Sequence, residues 1–392
     1  MNATFRDFTT NDAVACAAAS LSRAAGEPVT ISDISVLGDE RRRNHVIRAV
    51  AQAGSGNRQG IVIKATRAAD YNASSEDTVA KGGTGREWAA ASVLDPESAG
   101  TARFLAGDVA AGVVVFADLG AEAPWLATPL LQGSASEAEA ARLAYAISLG
   151  RLHATTVGCQ QAYAAGVQAA YPRARVPRSV GEAWLAGAAA IGPSRLGGVL
   201  PEAELALLRQ RMRDPGPWLA LVHGDACPDN VLLTEQGAAL LDFEFAAPVH
   251  ALFDAAYWRM GFPTCWCAGR VPDPVAERVE QAYRDTVADA IPAAQNIAEF
   301  RLEYAAAVVV RLFGSLEWHL DAALKEDSTW GIATLRNRIL WHVQSAIEAM
   351  ERADVLPGTC RTARAWLSDL RQRRPDVQAL PAYPAFAASA AG

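Results

Sequence analysis

The chain has 392 residues, of which 51% are hydrophobic and 20% are charged, and its formal net charge at pH 7 is −7. This length predicts two or more domains with enough apolar side chains for a sizeable core. Because basic residues are not in excess, neither nucleic acid nor an anionic membrane is expected as the main partner. The chain contains no run of 18 apolar residues, so no membrane span is expected.

The six cysteines are scattered along the chain without the spacing of a disulfide framework. This distribution favours a reducing compartment, and the expected location is the cytoplasm. Cys265 and Cys267 form the only close pair in the sequence. A metal site there would lack a partner pair, so thiols in the core or in loops are expected instead.

The N-terminal part of the chain predicts a leading helix and then strands. Residues 10–25 fit a capped amphipathic helix. Residues 34–38 and 44–50 fit two strands, and the turn between them (39–43) is charged. Gly38 is the only glycine at that turn, so cradling of a phosphate by backbone N–H groups is less assured. The three arginines of the turn could contact phosphate or could face solvent.

Residues 61–65 predict a buried strand that carries a single lysine, Lys64. A lysine in an apolar strand is costly unless it is paired with an acid or keeps its charge in water at an edge. The next predicted helix, residues 85–94, offers Glu87 about one turn from its start, with Thr84 as the expected N-cap. Glu87 is therefore either a partner for Lys64 or a first-turn glutamate favoured by the helix dipole.

Further strands are predicted around Phe104 and over residues 112–116, followed by a turn at 117–120. Beyond this turn the pattern becomes helical. Helices are expected over residues 137–156 and 201–213, and the Gly/Pro-interrupted segment between them is expected to be irregular.

The most specific pattern follows, over residues 219–244. A short apolar run (219–222) predicts a buried strand that enters a polar loop, and residues 231–234 and 238–241 predict a hairpin with Gly237 in its turn. This hairpin would bring Asn230, at the start of one strand, toward Asp242, at the end of the other.

Three polar residues of this segment have the composition that phosphoryl transfer from a nucleotide requires. A carboxylate such as Asp225 can orient an attacking hydroxyl and take its proton. An amide and a second carboxylate, Asn230 and Asp242, are oxygen ligands suited to magnesium. Asp225 precedes Asn230 by five residues, as in the catalytic loop of protein kinases. His223 is expected to cap or support the loop.

The motif His223-Gly-Asp225, with Pro228, Asn230 and Asp242-Phe-Glu244, resembles the signature of the aminoglycoside phosphotransferase and choline-kinase-like superfamily. This resemblance implies an α+β, protein-kinase-like fold with a small strand-rich N-lobe and a large helical C-lobe. We expect residues 1–117 to form the nucleotide-binding lobe, residues 118–374 the catalytic and substrate lobe, and residues 375–392 a Pro/Ala-rich, loosely docked tail.

The resemblance also implies further nucleotide contacts. Lys64, paired with Glu87, would hold phosphates, and the loop that begins at Gly38 would cover them. The adenine or guanine base would lie at the hinge. The hinge residues expected to contact it are Phe116, Asp118 and Leu119.

The resemblance says less about the acceptor. Residues 253–260 predict a helix whose Asp254 would support the catalytic loop, and residues 277–290, 296–324 and 331–353 predict longer helices. Aromatic and polar side chains of this region could line a sugar-like site or could belong to half-buried helices. The candidates are Tyr257, Trp258, Trp318, His319 and Asp321.

The sequence therefore predicts a magnesium-dependent kinase that uses ATP or GTP and phosphorylates a hydroxyl of a small molecule. The acceptor would be an aminoglycoside, another sugar-like compound or an amino alcohol, in antibiotic modification or in ordinary metabolism, and the enzyme a monomer or a homodimer. A nucleotide-binding pseudoenzyme and a same-fold AMP transferase remain as alternatives. A metal-dependent hydrolase using His223, Asp225 and Asp242 would explain neither Lys64 nor Asn230.

Overall fold

The computed structural model has a small lobe built on a β-sheet and a larger, mainly helical lobe, which confirms the predicted α+β, two-lobed fold. It describes residues 8–38, 44–69, 71–79, 83–95, 97, 100–120, 122–176 and 180–387. The charged turn at 39–43, for which phosphate contacts were considered, lies outside the described residues.

Five strands and two helices make up the described part of the small lobe. In chain order they are α1 (Thr10–Ala25), β1 (Val29–Leu37), β2 (Asn44–Ala53), β3 (Arg58–Thr66), α2 (Thr84–Ala91), β4 (Phe104–Asp108) and β5 (Val113–Ala117). The strands form one antiparallel sheet in the order β1–β2–β3–β5–β4. The first helix has the predicted cap: the side chain of Thr9 accepts a hydrogen bond from the N–H of Asp12.

The alternation of side chains along β3 decides which way Lys64 points. Ile61, Ile63 and Ala65 are fully buried in a cluster that also includes Ala13 and Ala17 of α1. Because successive side chains of a strand point to opposite faces, the residue between Ile63 and Ala65 must face away from α1. Lys64 therefore faces the cleft between the two lobes, where it lines a cavity.

The large lobe contains twelve helices and six short strands among the described residues. The helices are α3 (Ala127–Gln132), α4 (Ala135–Thr155), α5 (Gln160–Ala170), α6 (Val180–Ala186), α7 (Ile191–Leu196), α8 (Glu202–Arg213), α9 (Leu252–Arg259), α10 (Asp273–Val287), α11 (Ile297–Lys325), α12 (Leu335–Ala353), α13 (Pro357–Arg373) and α14 (Pro384–Ala387). The strands form three antiparallel pairs. They are β6 (Leu219–Val222) with β9 (Ala247–His250), β7 (Val231–Thr234) with β8 (Gly237–Leu240), and β10 (Thr329–Trp330) with β11 (Ala333–Thr334).

The central element of the large lobe is α11, a 29-residue helix that is buried over most of its length. Asn296 caps its start by accepting hydrogen bonds from the N–H groups of Ala298 and Glu299. Within the part of the chain that the structure describes, no helix is both long and apolar enough to span a bilayer.

Three local expectations were wrong. The segment 158–200, expected to be irregular, contains the helices α5, α6 and α7. In α5 the buried side chains Tyr163 and Val167 are one helical turn apart, so the alanine-rich sequence packs as a helix despite its glycine. Residues 331–334 belong to the β10–β11 hairpin rather than to α12. Gly83, with a φ of 74°, occupies the N-cap of α2, and Thr84 is its first helical residue.

The expectation of a loosely docked tail was also wrong, as far as residue 387. Leu380, Tyr383 and Phe386 are buried. The backbone N–H of Tyr383 donates to the carbonyl of Arg270, and the N–H of Arg270 donates to the carbonyl of Pro381. The apolar side chains at three-residue spacing therefore fasten the tail to the loop before α10.

Replacing Tyr383 with alanine should lower the free energy of unfolding by about 3–5 kcal/mol, because it empties a fully buried aromatic site. Chemical denaturation of the purified protein measures this change. The matched control is Asp376→Ala in the exposed part of the tail, which should stay within about 0.5 kcal/mol of the unsubstituted protein. Equal stability of the two variants would contradict the docked tail.

Candidate active site

The loop after β6 is fixed from below by the carboxylate of Asp254, which is fully buried at the start of α9. Its two oxygens accept hydrogen bonds from the backbone N–H groups of His223, at 2.6 Å, and Gly224, at 3.1 Å. Gly224 has a φ of 85°, and a Cβ at this position would lie 2.5 Å from the carbonyl oxygen of Phe245. Glycine is therefore required at this position of the loop.

Asp254 keeps its charge because basic side chains surround it. Arg311 and His153 approach its carboxylate to 3.4 and 3.5 Å. Burial on its own would raise the pKa of Asp254, but His153, Arg311 and His223 hold it below the usual value. His153 is fully buried and also bonds Tyr283, so it is a packed core histidine. Asp254 supports the loop after β6, as expected.

His223 joins the loop to the strand that ends before Asp242. Its Nδ1 accepts from the N–H of Asp225 at 3.3 Å, so its Nε2 donates to the carbonyl of Leu241 at 2.6 Å. The N–H of Leu241 in turn donates to the carbonyl of Asn230. These bonds fix the backbone positions of all three predicted polar residues relative to one another.

The carboxylate of Asp225 is oriented through one oxygen. Oδ1 accepts from the hydroxyl of Tyr257 at 2.9 Å and from that of Thr264 at 3.4 Å. Oδ2 accepts no hydrogen bond from the described residues. Burial raises the pKa of Asp225 above its ordinary value, and the Tyr257 hydrogen bond partly opposes the rise. A raised pKa improves a carboxylate as a proton acceptor.

Asn230 and Asp242 lie side by side at the open end of the β7–β8 hairpin, as the sequence predicted. The amide nitrogen of Asn230 donates to the carbonyl of Asp225 at 2.9 Å, which directs its Oδ1 the opposite way. Asp242 has a φ of 68°, an uncommon conformation for a residue other than glycine. This conformation turns its carboxylate toward the small lobe.

Lys64 makes two ion pairs, one within the small lobe and one to the large lobe. Its Nζ lies 2.6 Å from Glu87 Oε1 and 3.1 Å from Asp242 Oδ1. Burial alone would lower the pKa of Lys64, but the carboxylates of Asp242 and Glu87 raise it above its usual value. Burial also raises the pKa of Glu87, and Lys64 only partly opposes that rise. The expected Lys64–Glu87 pair is therefore formed, with Asp242 as a third member.

A cleft of about 1500 Å³ between the lobes, part of it open to solvent, contains the predicted nucleotide residues. Its described lining includes Lys64, Glu87, Phe116, Asp118, Leu119, Asn230 and Asp242. Gly38, the last described residue before the charged turn, has a φ of 88° and follows the cleft-lining Leu37.

The backbone N–H groups of Ala117, Asp118 and Leu119 at the hinge differ in their hydrogen bonding. The N–H of Ala117 donates to the carbonyl of Arg103, and that of Asp118 donates to the carbonyl of Gly60. The Asp118 carboxylate forms an ion pair with the guanidinium of Arg48, at 2.9 Å. Leu119 is the hinge residue whose N–H has no partner among the residues that the structure describes. Arg48 itself went unnoticed in the sequence because its role depends on a partner 70 residues away.

The candidate acceptor residues do not form one group. Tyr257 is fully buried and bonds Asp225, so it positions that carboxylate. The expectation for Trp258 was wrong, because its side chain is buried and the guanidinium of Arg142 lies over its ring. Asp321 is exposed and bound by Arg195 through two hydrogen bonds. Trp318 is half exposed and lies next to His319.

Tyr257→Phe removes the hydrogen bond that favours the charged form of Asp225, so the pKa of this carboxyl should rise further. The acidic limb of the pH–kcat profile should then move to higher pH by about one unit. Tyr163→Phe removes an equally buried hydroxyl that donates to Ala246, and it should leave the limb in place. An unmoved limb in the Tyr257 variant would show that this hydroxyl does not tune the base.

A model of the phosphotransferase enzyme family (APH) matches residues 86–295 of the chain. Similar solved structures include choline kinase from Cryptosporidium parvum, with 13% identity, a TM-score of 0.49 and coverage of 84% of this chain and 93% of that one. Another is macrolide 2'-phosphotransferase from Brachybacterium faecium, with 17% identity, a TM-score of 0.41 and coverage of 77% and 92%. No curated protein matches the chain in sequence.

Proposed function

The chain belongs to the phosphotransferase enzyme family, and from this membership we propose that it transfers the γ-phosphoryl group of ATP or GTP to a hydroxyl of a small molecule. The observation that carries the proposal is the open Oδ2 of Asp225, on a loop shared with Asn230 and close to the Lys64–Glu87–Asp242 cluster. A base for the acceptor thus lies beside a binding site for phosphates, joined to it through Asn230.

Asp225 is proposed as the general base. Its Oδ1 is held by Tyr257 and Thr264, so Oδ2 is fixed in direction before the acceptor arrives. The acceptor hydroxyl donates to Oδ2, and its proton passes to this oxygen as the hydroxyl oxygen attacks the γ-phosphorus. The bond between the γ-phosphorus and the β–γ bridging oxygen breaks, and the nucleoside diphosphate leaves with that oxygen. Fixing the base in advance lowers the entropy that must be lost on reaching the reactive arrangement.

Asn230 and Asp242 fit a magnesium ion, since both offer oxygen donors and the amide nitrogen of Asn230 is already committed to the Asp225 carbonyl. With the ion held by these two residues, its positive charge would offset the negative charge of the phosphates. Lys64 contributes a fixed positive charge to the phosphates, and Glu87 keeps its ammonium directed into the cleft. Asp242 is shared between this lysine and the magnesium site.

The base of the nucleotide is proposed to lie against the hinge, with its edge on the backbone of Leu119. Phe116 would provide an apolar surface for the ring, because it lines the same cleft. Asp118 is proposed to act indirectly, by fixing Arg48 and the start of the hinge. The free thiols and the nucleotide requirement fit a reaction in the cytoplasm.

A sugar-like or amino-alcohol acceptor, an antibiotic or a metabolite, is supported by an aromatic surface beside the catalytic loop. Trp266, Trp330 and Trp318 are 37%, 39% and 52% exposed. The indole N–H of Trp266 donates to Asp229, four residues after Asp225. The carbonyls of Trp266 and Trp330 both accept from the Arg338 guanidinium, so these two residues are neighbours. Exposed aromatic faces suit sugar rings and the cationic groups of amino alcohols.

Asp225→Asn should reduce kcat by about 100- to 10,000-fold, because the amide cannot accept the hydroxyl proton. Nucleotide binding should change little, since Asp225 is not among the residues that line the nucleotide cleft. A coupled assay with a panel of aminoglycosides, macrolides and amino alcohols measures turnover, and thermal unfolding with ATP or GTP and magnesium measures binding. Product mass distinguishes added phosphate from added AMP.

The matched control for this variant is Asp214→Asn, which makes the same change at an exposed carboxylate after α8 and should keep full activity. Turnover by Asp225→Asn equal to that of the control would refute the role of Asp225. A wild-type protein that binds magnesium nucleotide and phosphorylates none of these acceptor classes would instead support the pseudoenzyme.

Leu119→Pro removes the hinge N–H and should weaken nucleotide binding by about 2- to 10-fold, the effect of one hydrogen bond. Leu119→Ala keeps the N–H and shortens the side chain, so it serves as the matched control. Calorimetric titration with magnesium nucleotide measures both variants. Equal dissociation constants would place the edge of the base elsewhere on the hinge.

A further inference from the structure

A close pair of cysteines and a third cysteine from the catalytic loop meet in the fold. Cys227 lies within that loop, and Cys265 and Cys267 lie between α9 and α10. All three are buried. The Sγ atoms of Cys265 and Cys267 are 3.1 Å apart. The sequence alone suggested no partner for the Cys265–Cys267 pair, because the third thiol comes from a position 38 residues upstream.

A carboxylate completes this group. Asp229 Oδ1 lies 2.6 Å from Cys227 Sγ and 3.3 Å from Cys265 Sγ. One donor atom each of Cys227, Asp229 and Cys265 lies within 4.8 Å of the other two. Asp229 is oriented by its other oxygen, which accepts from the indole N–H of Trp266 at 3.1 Å. Hydrogen bonds of this kind commonly orient the ligands of metal sites.

Two buried arginines beside the cysteines lack an acidic partner among the described residues. Arg338 is fully buried and donates to carbonyl oxygens only, among them those of Cys265, Trp266 and Trp330. Arg142 is also fully buried, with its guanidinium over the rings of Trp258 and Phe262. Buried charges of one sign are costly unless opposite charge is near.

We propose that Cys227, Asp229, Cys265 and Cys267 bind a zinc ion that fastens the catalytic loop to the segment between α9 and α10. Three thiolates and one carboxylate around a divalent cation leave two net negative charges, which match the charges of Arg142 and Arg338. Zinc is the divalent metal that such a sulfur-rich, four-ligand set selects. The thiol protons are released to solvent on binding.

Ligand atoms of a tetrahedral zinc–thiolate site are separated by about 3.7 Å, given Zn–S bonds of about 2.3 Å. The three observed contacts, Cys227–Asp229, Cys265–Asp229 and Cys265–Cys267, are shorter, at 2.6 to 3.3 Å. Cys267 contacts Cys265 but is not part of the group of donor atoms that lie within 4.8 Å of one another. Zinc binding therefore requires the other three ligands to spread apart and the side chain of Cys267 to turn toward Cys227 and Asp229. The ligand Asp229 directly precedes Asn230, so bound zinc would also restrict the residue proposed to hold magnesium.

The test begins with the full-length protein, expressed with added zinc and purified without chelator. Elemental analysis should find about one zinc per chain. Replacing zinc with cobalt should give the intense thiolate charge-transfer absorption of a sulfur-coordinated ion. Cys265→Ser should lower both signals by about tenfold or more. Cys360→Ser, which changes another buried cysteine outside the cluster, should leave both unchanged.

Two measurements guard against a variant that simply fails to fold. Asp229→Asn keeps the shape of the side chain and should weaken zinc binding in a competition with a chromogenic chelator. Removing zinc from the wild-type protein should lower Tm, and adding zinc back should restore it. Metal content below about a tenth of an ion per chain, with no cobalt absorption, would overturn the proposal. A disulfide between two of the three cysteines in the freshly purified protein would overturn it as well.

Discussion

The buried carboxylate of Asp254 is the interaction on which the rest of the site depends. It accepts hydrogen bonds from the N–H groups of His223 and Gly224 at the start of the loop. The nearby Arg311 and His153 keep the carboxylate charged. From this anchor, His223 reaches the strand that leads to Asp242, and the loop continues to Asn230. An anionic acceptor makes stronger hydrogen bonds to backbone N–H groups than a neutral one does. A charged group at the base of the site therefore fixes the uncharged backbone above it.

Much of the site could be predicted from the sequence because it depends on local rules. The alternation of apolar residues around Lys64 directs its side chain to one face of a strand. A single hairpin is enough to bring Asn230 and Asp242 to the same end of two paired strands. The pairing of Glu87 with Lys64 and the support from Asp254 followed from the family resemblance. These features either lie within one element or repeat a pattern that many sequences share.

The remaining features depend on contacts between distant parts of the chain. Tyr257 was expected to contact an acceptor, but whether a helical tyrosine faces a ligand or a neighbouring carboxylate depends on how α9 is rotated against the loop. Thr264 and Arg48 gave no signal, because a lone threonine or arginine is ordinary in any sequence. The tail was misjudged because composition suggested mobility, whereas burial of Leu380 and Tyr383 required a groove formed by other elements.

The shared lysine has a thermodynamic consequence. Lys64 neutralises Asp242 in this structure. A bound triphosphate would attract the Lys64 ammonium away from Asp242, and the uncompensated Asp242 carboxylate would then repel the negatively charged triphosphate. A divalent cation on Asp242 removes that repulsion. On the proposed function, the two ligands should therefore bind with positive cooperativity, and linkage requires that each raise the affinity for the other by the same factor. The proposed metal and nucleotide sites would thus be coupled through a single side chain positioned between two acids.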